Sequence, residues 1–67
     1  MTKKEAKQIE DAIVSLSAYK ILIDNAIEKR NLDSFDEWCI EHDKVTLTLR
    51  SMGINIGKTY EERRFSA

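Results

Sequence analysis

Apolar residues recur every three or four positions along two long stretches of the chain, the spacing of helices that each bury one face. In the first stretch the repeat is formed by Ala6, Ile9, Ile13, Leu16, Ile23 and Ile27, with Lys20 in one of its positions. In the second it is formed by Phe35, Trp38, His42, Val45, Leu49 and Met52. The pattern predicts helices over about residues 3–30 and 35–52, joined by a turn at residues 31–34. The segment VTLTL at residues 45–49 also alternates like a strand, but the helical spacing continues through it.

The start of each predicted helix carries the sequence Ser/Thr-x-x-Glu. The three pairs are Thr2 with Glu5, Ser34 with Glu37, and Thr59 with Glu62. In such a capping box the hydroxyl accepts an otherwise unpaired backbone N–H, and the glutamate returns to the N–H of the cap residue. The third pair predicts a short C-terminal helix over about residues 60–65.

The segment GINIGKT at residues 53–59 superficially matches a phosphate-binding loop. A P-loop needs four residues between its glycines and lies between a strand and a helix, whereas three residues separate Gly53 from Gly57 and a helix precedes them. Gly53 is instead placed to end the second helix in a left-handed conformation, with Ile54 packing back on its last turn. We therefore expect no nucleotide site here.

Two amphipathic helices joined by a short turn predict an all-α, antiparallel helical hairpin that forms a single domain over residues 1–67. Counting back from the turn places Trp38 opposite Ile27. The second helix is shorter than the first, so Ala6 and Ile9 are left uncovered. We expect the C-terminal residues to cover them, namely Ile54, Ile56, Tyr60 and Phe65.

A chain of 67 residues with one cysteine has no internal disulfide to compensate for a small core. Five further apolar residues lie away from the helical repeat and would contribute to an interface: Val14, Ile21, Leu22, Ile40 and Leu47. They predict a homodimer that forms a four-helix bundle, or a contact with a protein partner. Scattered surface hydrophobes are the alternative interpretation.

The net charge of −1 conceals an uneven distribution along the predicted hairpin. A basic end gathers Lys3, Lys4, Lys7, Arg50, Lys58, Arg63 and Arg64. The turn end is acidic, and part of this pattern suits the helix dipoles. The lysines at the start of the first helix oppose its dipole, so the basic end could serve antiparallel pairing or contact with phosphates or an acidic protein. A solvated polar end is the other interpretation.

The residues that could suggest a catalytic or metal site are better explained as parts of the helical packing. Glu41, His42 and Asp43 are adjacent on a helix and should not face one another, and His42 lies on the buried repeat. Cys39 and His42 share a face, and two chains could offer two of each to a metal. We expect neither an enzyme nor a cofactor or metal in one chain, because a lone hairpin offers no concave site.

No apolar run reaches the roughly 18–20 residues of a membrane span, and the opening MTKKEAKQIED contains acidic residues where a signal peptide would be apolar. We therefore expect a cytoplasmic protein with no membrane partner. The leading functional hypothesis is a small helical regulator or inhibitor that self-associates and binds a protein, of a kind often encoded by phages or mobile elements. The alternative is a dimeric bundle that binds nucleic acid through its basic end, and an enzyme or cofactor binder is a third and weaker hypothesis.

In outline the chain resembles the plasmid copy-control Rop proteins, through its opening MTKKE, its single short turn and its heptads. That resemblance implies a dimer of helical hairpins that binds RNA. It carries no functional residue of that family onto this sequence.

Overall fold

The computed structural model describes residues 2–65, so residues 1, 66 and 67 of the predicted domain lie outside the described residues. It contains three helices: α1 (Lys3–Glu28), α2 (Leu32–Ser51) and α3 (Tyr60–Phe65). No strand occurs within residues 2–65, and α1 packs along α2 after a connection of three residues. The all-α hairpin with a short third helix is confirmed.

The ambiguous segment VTLTL lies inside α2. The hydroxyls of Thr46 and Thr48 donate to the carbonyls of His42 and Lys44, each at 2.9 Å. These β-branched residues therefore satisfy their polar groups one turn back along the same helix.

The turn between α1 and α2 is tighter than predicted, and the second helix begins three residues earlier. Asn31, not Ser34, is its N-cap: the Asn31 side chain accepts the N–H of Ser34 at 3.2 Å. The predicted cap at Ser34 is therefore wrong. Arg30 adopts a left-handed φ of 55°, and the N–H of Asn31 returns to the carbonyl of Ala26 at 2.9 Å, which closes α1 in a Schellman motif.

The predicted start of α1 and end of α2 are confirmed, whereas α1 ends at Glu28, before the predicted residue 30. The N–H of Glu5 donates to the Thr2 hydroxyl at 3.1 Å, although the Glu5 carboxylate accepts from that hydroxyl rather than from the backbone of Thr2. Gly53 has a φ of 84°, and the N–H of Ile54 reaches the carbonyl of Leu49 at 2.9 Å. This is the expected Schellman ending, and Gly53 therefore ends α2.

The buried stripe of α1 is rotated from the predicted one. Its buried residues are Leu16, Ile23 and Ala26, whereas Ile13 and Ile27 are exposed. Ala26 is small enough to let the two helices approach closely beside their short connection, where the larger Ile27 turns outward. Trp38 stacks on Tyr19 with ring centroids 5.7 Å apart, about two turns from the predicted position opposite Ile27.

The C-terminal segment does not cover the start of α1. Helix α3 packs against α2, while Ala6 and Phe65 are both exposed. The predicted packing of this segment on Ala6 is therefore wrong. The reason is that polar contacts from Asp43 and Arg50 hold α3 against α2.

Candidate functional site

Asp43 holds the start of α3 against α2. Its two carboxylate oxygens accept the backbone N–H groups of Tyr60 at 2.8 Å and Glu61 at 3.1 Å. These N–H groups belong to the first turn of a helix and have no partner inside it. The side chain of Asp43, seventeen residues before Tyr60, therefore caps the start of α3.

Thr59 and Glu62 complete the attachment of α3. The N–H of Glu62 donates to the Thr59 hydroxyl at 3.0 Å, and the N–H of Thr59 donates to the Glu62 carboxylate at 2.9 Å, so both halves of the predicted capping box form. Arg50 of α2 also donates to Glu62 at 2.9 Å. Together, Arg50 first and Thr59 next, these donors lower the pKa of Glu62 to about 2.

His42 is packed beneath α3, as its place in the buried repeat predicts. Its ring meets the Tyr60 ring edge-on, with centroids 4.8 Å apart. Contrary to the expectation that neighbours on a helix do not meet, Nδ1 of His42 lies 3.5 Å from a carboxylate oxygen of Asp43. Burial is the main cause that lowers the pKa of His42, and the nearby Asp43 opposes that effect.

The polar neighbours of His42 favour one tautomer of its neutral ring. Nδ1 faces Asp43 and, at 3.5 Å, the hydroxyl oxygen of Thr46, whose own hydrogen is donated to the His42 carbonyl. Both neighbours present acceptors, which favours the tautomer of the neutral ring that carries its hydrogen on Nδ1. Nε2 is buried and has no hydrogen-bond partner within residues 2–65.

Beside His42 a groove of about 210 Å³ opens between α1, α2 and the segment that leads into α3. Lys20 of α1, Lys58 of the connecting loop and Arg63 of α3 line it together with His42 and Thr46. Aliphatic side chains of α1 and the loop line much of the rest. The groove therefore combines cations, a buried imidazole and an apolar wall.

The structure places the seven residues of the predicted basic end in separate locations. Lys3, Lys4 and Lys7 are exposed on the first turns of α1. Arg50 pairs with Glu62, and Arg64 lies 3.8 Å from Asp36 in the acidic half of α2. Lys58 and Arg63 join Lys20 in the groove. The helical repeat predicts no such second grouping, and Lys20 in an apolar position of that repeat is the one sequence signal that indicates it.

The five predicted interface residues do not form one patch on a single chain. Val14, Ile21, Ile40 and Leu47 are between 50% and 63% exposed, and Leu22 is half-buried. At about 100° per residue, Val14 and Ile21 point away from buried Ile23 by roughly half a turn. Ile40 and Leu47 face away from the α1 contact in the same manner. Val14 and Ile21 therefore lie on the outer side of α1, and Ile40 and Leu47 on that of α2.

Cys39 is a buried free thiol whose pKa is raised, first by burial and then by Asp43. Within residues 2–65 no three histidine, cysteine or acidic side chains are grouped so as to hold a metal ion. No helix in the same range is long and apolar enough to cross a membrane. Comparison with family models, with curated proteins and with solved structures gives no match to this chain.

Proposed function

We propose that this protein is a non-enzymatic helical interaction module, which self-associates and binds or inhibits a protein partner through the outer apolar sides of its hairpin. One observation carries the proposal. Ten large hydrophobic side chains are exposed within the described residues, whereas the buried hydrophobic residues are five, and two of those are Ala26 and Cys39. Val14 and Ile21 on α1, and Ile40 and Leu47 on α2, each lie one heptad apart, so each outer side exposes a pair of apolar side chains that another protein could cover.

The placement of the exposed residues favours more than one contact per chain. Ile21 and Leu47 face in different directions, so a single flat interface buries one of them and leaves the other available. Ile21 and Leu47 would both be covered if a second copy packed on the side of one and a different protein on the side of the other. A symmetric dimer is the simplest assembly that begins this way.

Sedimentation of the wild type and of single aspartate variants tests the proposal. We expect the wild type to sediment as an oligomer at micromolar concentration. One of the two variants, Ile21→Asp or Leu47→Asp, should dissociate it, because that change puts a charge into the buried apolar contact between copies. Gln8→Asp adds the same charge at an exposed polar position of α1 and should leave the oligomer intact.

Capture from a cell lysate then tests the partner. Wild-type chain should retain a protein that the aspartate variant with intact self-association does not retain. The interaction proposal would be refuted by a wild-type chain that sediments as a monomer and retains no protein from the lysate.

A second candidate is nucleic-acid binding, favoured by the exposure of Lys3, Lys4 and Lys7, which form no ion pair with any residue of the described range. Binding of this kind weakens steeply with salt, since each phosphate contact releases counterions. The same lysate capture, analysed for RNA and DNA, decides it. Nucleic acid that is retained at low salt and lost from Lys3→Gln/Lys4→Gln/Lys7→Gln would support this candidate.

A further inference from the structure

We propose that the protein dimerises through the outer side of α1, along which the α1 helix of a second copy packs antiparallel. This inference rests on the proposed self-association and specifies its surface, its occupant and its register. The surface is the outer stripe of α1, which consists of Lys7, Val14, Ile21 and Glu28.

The four residues of the outer stripe are spaced seven apart along the helix. Seven residues are close to two helical turns, so the four side chains lie on one side of α1, roughly half a turn from buried Ile23. Val14 and Ile21 are each 63% exposed, and Lys7 and Glu28 are exposed at the two ends. The stripe therefore has an apolar centre, one positive end and one negative end.

This order makes the outer stripe complementary to itself in the antiparallel direction. A second copy turned end for end places its Ile21 against Val14 and its Glu28 against Lys7, and two-fold symmetry repeats both contacts. A parallel copy would instead bring lysine beside lysine and glutamate beside glutamate, which is unfavourable. Charge therefore selects the antiparallel arrangement and fixes its register.

The charges at the ends of the stripe are not explained by α1 alone. Glu28 is the last residue of the helix, where the dipole favours a cation, and the last turn contains no basic residue. Neither Glu28 nor Lys7 forms an ion pair with any residue between positions 2 and 65. Pairing between two copies gives each of these side chains an opposite charge.

The centre of the contact allows the two helices to approach closely. The two-fold axis would cross α1 between Ser17 and Ala18, midway between Val14 and Ile21, and both side chains are small and exposed. The Ser17 hydroxyl already donates to the carbonyl of Ile13 at 3.3 Å, so covering it leaves no donor without a partner.

The outer side of α2 is less suited to a second copy, because α3 lies beside it. Ile40 lines the cleft between α2 and α3 together with Phe65, and Asp43 is engaged by the first turn of α3. Helix α3 packs against α2 and not against α1 within the described range. The outer stripe of α1 is therefore unobstructed along its length.

Zero-length cross-linking with a carbodiimide tests the register on the wild-type chain. The reagent joins a lysine amine to a carboxylate in contact with it, and mass spectrometry of the digested dimer identifies the joined residues. Lys7 and Glu28 of one chain are about 31 Å apart along α1, so a link between them must connect two copies. We expect this link in the cross-linked dimer, and a dimer linked at other positions without it would contradict the register.

Exchange of the two charges tests the orientation in solution by sedimentation equilibrium. Lys7→Glu and Glu28→Lys should each weaken the dimer about tenfold at low salt, because each turns two attractive pairs into repulsive pairs. The double variant restores opposite charges and should return the dissociation constant to within about threefold of the wild-type value. Both replacements suit the dipole of α1, so a weaker helix would not explain the weaker dimer.

The matched control is Lys58→Glu, which changes the net charge by the same amount in the loop before α3. Because that loop lies away from the outer stripe, the dissociation constant should stay within about twofold of the wild-type value. Ile21→Asp should dissociate the dimer, whereas Leu47→Asp should leave it intact.

Three results would overturn the inference. Failure of the double variant to recover, or dissociation by Leu47→Asp but not by Ile21→Asp, would exclude the antiparallel contact on α1 and leave the proposed function standing. A wild-type chain that sediments as a monomer would remove the self-association on which the inference rests. Capture of a protein from the lysate then decides the remaining part of the proposed function.

Discussion

Arg30 is the one non-glycine residue between positions 2 and 65 with a left-handed backbone conformation. It holds a φ of 55° at the end of α1, a position that usually belongs to glycine. Nothing in the hydrophobic pattern marks it, because a Schellman ending without glycine has no distinctive sequence. Gly53 ends α2 in the same conformation. Its role was predictable, because a glycine directly after a helical repeat is a recognisable signal for the end of a helix.

Arg30→Gly should therefore stabilise the protein. The left-handed conformation costs an L-residue about 1–2 kcal/mol, and the greater freedom of glycine in the unfolded chain takes back part of the gain, which leaves about 0.5–1 kcal/mol. Chemical denaturation measures the difference. Lys29→Gly is the matched control, since Lys29 has a right-handed φ of −85° and glycine there should lower the stability. A loss of stability in both variants would contradict the argument.

Small residues explain why the core could be predicted only in part. The repeat correctly identified Leu16, Ile23, His42 and Leu49 as buried. It also favoured Ile27 over its neighbour Ala26, because hydrophobic periodicity weighs a large side chain more heavily than a small one. Beside the three-residue connection, the small Ala26 is buried instead, and Ile27 is exposed.

At the scale of elements, α3 is held to the hairpin mainly by polar contacts. Its capping box was readable from sequence because both partners are local. Its docking site was not, since Asp43 and Arg50 act across seventeen and twelve residues and leave no periodic signal. The same polar attachment places Arg63 of α3 at the groove beside His42, so the helical repeat could not predict that groove either.

The attachment of α3 should depend on pH through Glu62. Its folded-state pKa of about 2 lies below the ordinary value of 4.5, so the unfolded state binds the proton more readily. The stabilisation is therefore complete above about pH 4.5 and is lost as the pH falls toward about 2. NMR contacts between the rings of Tyr60 and His42 report on the docked helix.

A matched pair of variants assigns that dependence. Glu62→Gln should weaken the Tyr60–His42 contact already at neutral pH, because it removes the carboxylate that Arg50 and Thr59 share. Glu61→Gln removes an equal charge one residue away and leaves the Arg50 contact in place. If the two variants lose the contact to the same extent, the overall charge of α3, and not the pairing of Glu62 with Arg50, holds the helix in place.

At the scale of the whole molecule, one chain buries fewer large apolar side chains than it exposes within the described residues. Only Ile23, Leu49 and Thr46 are almost completely buried among the larger side chains of the described range. A chain of this size has little stability to spare, so association that covers Ile21 or Leu47 would be part of the folding free energy. Folding and self-association are then one equilibrium.

That coupling predicts a melting temperature that rises with protein concentration. From the average enthalpy per residue, a dimer that unfolds to two chains should gain about 5 °C for each tenfold increase in concentration. Circular dichroism from micromolar to near-millimolar protein measures this shift. The aspartate variant that dissociates should melt lower and lose the dependence, because its unfolding no longer releases a partner, whereas Gln8→Asp should retain the slope. A wild-type midpoint that stays constant across the whole range would mean that one hairpin folds alone, with its outer apolar sides contributing nothing to its stability.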